Sequence, residues 1–171
     1  IPVYNEGLYI SDTVDSLLNQ NTSYTHEIII VDGMSTDGTR KIIQDKINRN
    51  PNKIIKLFDN KKRIVSSGFN IGLTNSVGDI IIRVDGHSKL DKSYIKNCIL
   101  ILKEVNADCV GGTTEHKSNN FIGSIITKAQ TSNFGTGGVV FRKNINKGMY
   151  TDTLAFGAVS YTHLRAHETL I

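Results

Sequence analysis

With 171 residues, 39% of them hydrophobic and 21% charged, the chain has the make-up of one folded domain with a core of its own, and this excludes extended disorder. The formal net charge of +4 is mild and the basic residues are not interleaved with aromatics, so no nucleic-acid surface is expected. No apolar run reaches the roughly 18 residues that a membrane span needs, so no segment is expected to cross a bilayer.

The chain opens on Ile1-Pro2-Val3-Tyr4-Asn5-Glu6, with neither the basic nor the apolar stretch of a signal peptide. With no Met in front, the natural start is expected to lie upstream. Ile1 to Val3 reads as the end of a strand. Ile10, Val14, Leu17 and Leu18 are spaced to share one face of a helix. Glu27 to Asp32 is a strand too uniformly apolar to have a wet face, which predicts a central position. Gly33 and Gly38 bracket a turn, Asp37 can cap the next helix, and that helix buries Ile42, Ile43 and Ile47 and stops before Pro51.

Ile54 to Phe58 is predicted as a third strand, followed by a short helix or loop over Ile64 to Asn75 that contains Gly68 and Gly72. Ile80 to Val84 is a further buried strand, ending at Asp85-Gly86-His87. A helix packing Ile95, Ile99, Leu102 and Val105 follows, then a strand near Cys109 to Thr113. Phe121 to Gln130 reads as a helix with Ile122, Ile125, Ile126 and Ala129 inward, and Gly135, Gly137 and Gly138 mark a loop before Val139-Val140-Phe141. Strands alternating with helices predict an α/β fold with a mostly parallel central sheet flanked by helices. Cys98 and Cys109 lie in apolar surroundings without C-x-x-C spacing, as expected of buried thiols in a reducing compartment. From Val159 the apolar period stops, so residues 1–158 are read as the domain and 159–171 as a non-native, disordered tail resembling a sequencing-adapter read-through.

Asp32 and Asp85 each end an apolar strand and each precede a glycine. In open parallel sheets, ligands bind outside the carboxyl ends of strands, so the two carboxylates point to one crevice; ordinary Asp-Gly turns are the plainer alternative. Asp85 and His87 are two apart on an extended segment, which predicts side chains facing the same way. A carboxylate and an imidazole suit a divalent ion bridging diphosphate oxygens, with the imidazole tilting the choice from Mg2+ toward Mn2+. The alternative for His87 is a loop histidine capping the next helix. The densest basic cluster, Lys61-Lys62-Arg63, is either a solvated face or a contact for phosphate. His163 and His167 with Glu168 mimic a helical metal motif but lack a supporting fold, and no metal role is assigned to them.

The segments Ile1 to Glu6, Ile28 to Thr39, Asn70-Ile71-Gly72 and Gly78 to His87, in this order and spacing, resemble family 2 glycosyltransferases of GT-A fold. The Asp-Gly-His triplet, Gly111-Gly112-Thr113, Phe134 to Gly138, Phe141-Arg142 and Asp152 to Ala158 resemble the succinoglycan-biosynthesis ExoA-like branch of that family. The resemblance implies that Pro2, Tyr4 and Glu6 line the base and ribose pocket and that Asp32 hydrogen-bonds the base. It also implies that Asp85 contacts the ribose and, through the metal, the diphosphate, and that His87 completes the metal site. Phe69 stands where many relatives carry Arg, and Arg63 or Arg83 is expected to compensate. The implied reaction is an inverting transfer from a nucleotide-diphosphate sugar, UDP-linked by expectation, to a saccharide or lipid-linked acceptor at the inner face of the cell membrane. Any membrane contact is expected through segments outside this chain. The family's catalytic base lies in a Glu-Asp motif beyond the Phe-Gly-Ala segment, and none occurs from Ala158 to Ile171; the expectation is binding with little turnover.

Two other functions fit the element order. A sugar-1-phosphate nucleotidyltransferase shares the architecture, but its glycine-rich opening loop is replaced by Tyr4-Asn5-Glu6. A flavodoxin-like ligand-binding module would need an acidic pair near the first strand, which Glu6 alone does not supply.

Overall fold

The computed structural model describes residues 1–113, 125, 129 and 157–160. Its parallel half is a three-stranded sheet in the order β1 (Pro2–Val3), β2 (Ile28–Asp32), β3 (Ile55–Asp59). β2 is central, as its unbroken apolar run predicts, and its register aligns Val3 with Asp32 and Asp32 with Asp59. The carboxyl ends of all three strands therefore finish on one edge.

The alternation of β2 sorts its side chains to two faces. Ile28 and Ile30 enter a core with Ile10, Val14 and Leu17 of α1 (Ile10–Leu18) and Ile43 of α2 (Thr39–Arg49). Ile29 and Val31 face α3 (Val65–Thr74). That helix approaches closely because of glycine: a Cβ on Gly68 would lie 3.2 Å from the Pro2 Cβ and 3.1 Å from Asn60 Nδ2. A parallel sheet with helices on both faces results.

The other half is a three-stranded antiparallel sheet, β4 (Ile80–Ile82), β6 (Ala158–Ser160), β5 (Cys109–Val110), backed by α4 (Tyr94–Val105). Ile82 and Val84 also pack into the core of the parallel half. The boundary expected between residues 158 and 159 falls inside β6, where Val159 pairs with both Ile81 and Cys109. Neither β4 nor β5 has another strand partner among the described residues, so the short Ala158-Val159-Ser160 run is what joins them.

In α4 the inward positions are Ile95, Cys98, Ile99 and Leu102, whereas Val105 is 43% exposed. Cys98 fills the place on the apolar face, and burial pushes its thiol pKa up; Cys98 and Cys109 are both free. Ile125 and Ala129 are helical, as expected for 121–130, but both are exposed. The predicted loop at 135–138, the run 139–141 and residues 161–171 of the expected tail lie outside the described residues.

Candidate active site at the carboxyl edge of the strands

Each parallel strand is followed by a non-glycine residue in the left-handed region: Asn5 at φ 53°, Met34 at 64° and Arg63 at 58°. Such backbone costs free energy and persists only where surrounding contacts enforce it, commonly at functional edges. Here the contacts are explicit. The Asn5 N–H donates to Ser35 Oγ at 2.9 Å, and Asn5 Oδ1 accepts the Thr36 N–H at 2.9 Å. The Gly7 N–H donates to Asp37 Oδ2 at 2.8 Å, and the Glu6 N–H to Thr39 Oγ1 at 2.8 Å. The loop after β1 is thus laced to the loop after β2.

Asp37 is the centre of that lacing and not a simple cap. Gly38 is the N-cap residue, at φ 94°, and it has no side chain to cap with. Asp37, one position earlier, accepts the hydroxyl and N–H of Thr39 and the N–H of Gly7. The Thr39 hydroxyl first, then the Gly7 N–H, hold the Asp37 pKa below the ordinary carboxylate value.

Asp32 is fully buried at the end of β2. Its Oδ1 accepts the Ser35 hydroxyl and N–H, and its Oδ2 lies 3.2 Å from Arg40 Nη1. The same guanidinium nitrogen is 2.7 Å from Asp59 Oδ1 at the end of β3. Arg40 therefore bridges two neighbouring strand-end carboxylates, and Asp59 before Asp32 raises its pKa against the pull of burial. Sequence reasoning missed Arg40, Ser35 and Asp59. The available signal was Asp59 itself: two acidic residues in register on adjacent strands need a cation between them.

On the other flank, His87 Nδ1 lies 2.9 Å from Glu6 Oε1, and Tyr9 meets the imidazole edge-on with centroids 6.5 Å apart. The buried Thr13 hydroxyl donates to the Gly86 carbonyl at 2.8 Å, pinning the Asp85-Gly86-His87 segment to α1. Asp85 pairs with Arg83, Nη2 to Oδ1 at 3.3 Å, and its side chain is 23% exposed.

The loop of Asn5 and Glu6 therefore links Asp32, through Ser35, to His87. The expected pairing of Asp85 with His87 is different in detail. The chain turns at Gly86, so the period of two breaks there: Asp85 faces Arg83 and His87 faces Glu6. Tyr4 is 47% exposed, with the Arg63 guanidinium 5.8 Å from its ring centroid. Of the two cations expected to compensate for Phe69, Arg63 stands beside Tyr4 and Arg83 is turned to Asp85. Pro2 is half-buried within β1 and faces α3, behind the edge.

Among the described residues no three His, Cys, Asp or Glu side chains meet as a metal-holding group. Asp85 and His87 offer an oxygen and an imidazole nitrogen, a donor set that suits manganese or magnesium when phosphate oxygens supply the remaining positions. A cleft of about 590 Å³, lined by Ile1, Leu17, Ile28, Ile54, Ile81 and Ile99 among others, takes in Phe69 and Arg83 but not Pro2, Tyr4, Glu6, Asp32, Asp85 or His87.

The family model described as glycosyl transferase family 2 matches residues 1–162. A Methanococcus voltae protein, dolichyl N-acetyl-alpha-D-glucosaminyl phosphate 3-beta-D-2,3-diacetamido-2,3-dideoxy-beta-D-glucuronosyltransferase, is 28% identical over 99% of this chain and 54% of its own length. The succinoglycan biosynthesis protein ExoA of Rhizobium meliloti (strain 1021) is 30% identical over 81% of this chain and 42% of its own. The chain thus spans about half the length of the curated relatives it matches. Among solved structures, the mannosyltransferase PcManGT from Pyrobaculum calidifontis, in complex with GDP-Man and Mn2+, shares the fold with a TM-score of 0.61. It is 22% identical, and the match covers 67% of this chain and 34% of that one.

Proposed function

The chain belongs to glycosyl transferase family 2, and from that premise we propose that it forms the nucleotide-sugar-binding part of a glycosyltransferase. The donor is a nucleotide-diphosphate sugar, a UDP-sugar by preference. The acceptor is a saccharide or lipid-linked saccharide used in cell-surface or exopolysaccharide synthesis at the inner face of the membrane. The observation that carries this proposal is the continuous chain of contacts from Asp32 through Ser35, Asn5 and Glu6 to His87 along one strand edge. The dolichyl-linked name of the M. voltae relative supports the acceptor class, and the GDP-Man and Mn2+ bound by PcManGT support the donor class and the metal.

The residues divide the work by position. Tyr4 offers an exposed ring for the base, with Arg63 beside it. Asp32 is the carboxylate assigned to the base; in the free protein Ser35 reaches both of its oxygens and Arg40 reaches Oδ2, so a base N–H would take its place among these donors. Asp85 and His87 would hold the divalent cation, which supplies charge neutralisation for the departing diphosphate. The transfer is a single displacement with inversion. No described side chain is assigned as the base that deprotonates the acceptor, and the Glu-Asp motif of the family does not occur from Ala158 to Ile171.

Thermal unfolding tests the binding reading. UDP with manganese raises the melting temperature in a saturable way, whereas acetyl phosphate, a probe for a receiver-like module, does not. A shift with acetyl phosphate and none with UDP or GDP would overturn the proposal.

A further inference from the structure

Glu6 stands where three loops meet. Its N–H donates to Thr39 Oγ1 at 2.8 Å, at the start of α2. Its carbonyl accepts the N–H groups of Tyr9 and Ile10, both at 2.9 Å, at the start of α1. With the backbone fixed from both sides, the side chain runs against Gly86, where a Cβ would lie 2.8 Å from the Glu6 Cγ. It ends on His87, Oε1 to Nδ1 at 2.9 Å.

A carboxylate oxygen at this distance is matched by a ring nitrogen that donates, so the contact favours the tautomer with the proton on Nδ1. A neutral imidazole protonated on Nδ1 carries its lone pair on Nε2. The Glu6 side chain is only 21% exposed while that of His87 is 59% exposed, so the carboxylate sits behind the ring and the ring faces outward. Tyr9 braces the ring edge-on at 70°. A carboxylate on one nitrogen and an open position on the other is the arrangement by which proteins orient a metal-binding histidine.

We propose that Glu6 is a positioning residue: it holds His87 in the Nδ1–H tautomer and aims Nε2 at the divalent cation that accompanies the diphosphate. This rests on the nucleotide-sugar reading of the site, and it moves Glu6 from the base pocket to a place behind the metal. Glu6 then acts only through His87.

The test uses wild type, Glu6→Gln, His87→Ala and the double variant, each checked for folding by its melting curve. Manganese affinity is read by electron paramagnetic resonance at saturating UDP, and the His87 tautomer of the metal-free protein by long-range proton–nitrogen NMR. Wild-type His87 is Nδ1–H, and Glu6→Gln weakens that preference. Glu6→Gln lowers manganese affinity about 10- to 100-fold while metal-free UDP affinity stays within about twofold. In the His87→Ala background the Gln substitution has no further effect. An equal loss in that background makes Glu6 a direct ligand and overturns the inference; so does unchanged manganese affinity, or an Nε2–H tautomer in wild type. Wild type that binds UDP but no manganese overturns it too and leaves the nucleotide site standing. Wild type that binds neither ligand overturns the nucleotide reading itself.

Discussion

Arg40 spans two strand ends with one guanidinium, and its two partners differ in how much they depend on it. Asp59 is 44% exposed and can return to water, whereas Asp32 is fully buried and cannot. Removing the cation leaves a buried carboxylate held only by Ser35. A fully buried pair broken in this way costs about 3–5 kcal/mol. Arg40 is itself 45% exposed, so Arg40→Ala is expected to lose only about 1–2 kcal/mol after solvent screening. Urea denaturation measures this, and a loss below about 0.5 kcal/mol would mean that the pair is no more than a surface contact.

Asp37 gives a pH-dependent prediction at the same scale. Its folded pKa lies below the ordinary value of 3.8, so the unfolded chain binds its proton first as pH falls. The stabilisation is complete above the unfolded value and disappears as pH drops through the folded one. Denaturant midpoints of wild type and Asp37→Asn should differ at pH 7 and converge as the pH falls below 3.8. A gap that widens toward acid would reverse the sign of the account.

The elements show what the sequence makes legible and what it hides. The face of α1 and the central place of β2 follow from apolar spacing alone, because burial on one stripe or on both faces leaves a periodic trace. β4 is shorter and less buried than its apolar run predicts, and its pairing with β6 depends on a strand more than seventy positions away, which no local period reports. Asp32, Asp85 and His87 could be found as strand-end residues, but their partners could not. The break of extended geometry at Gly86 depends on a tertiary contact, the bond from Thr13 in α1 to the Gly86 carbonyl. Thr13→Val keeps the shape and removes that donor. The carbonyl is then buried without its partner, at a cost of about 1–3 kcal/mol. Gly86→Ala attacks the same junction sterically, since its Cβ would lie 2.8 Å from the Glu6 Cγ and 2.9 Å from the Val3 Cγ1. The expected loss is about 1–3 kcal/mol, with weakened UDP binding. An Ala variant as stable as wild type would show that this loop is free to move aside.

At the scale of the whole molecule, a parallel half supplies the strand edge and an antiparallel half carries the segment that leads to Asp85 and His87. They meet through Ile82 and Val84 in the core, the Thr13 bond, and the Glu6–His87 pair. Among the described residues no helix is long and apolar enough to cross a membrane. The residues proposed for the nucleotide site all lie within the described part of the chain. Titration calorimetry of UDP into the protein, with and without manganese, measures it most directly. One UDP per chain is expected, with affinity at least about tenfold stronger with the ion, equivalent to about 1.4 kcal/mol, and a comparable loss in Asp32→Asn. Absence of UDP binding, or binding indifferent both to manganese and to Asp32→Asn, would contradict the proposed site.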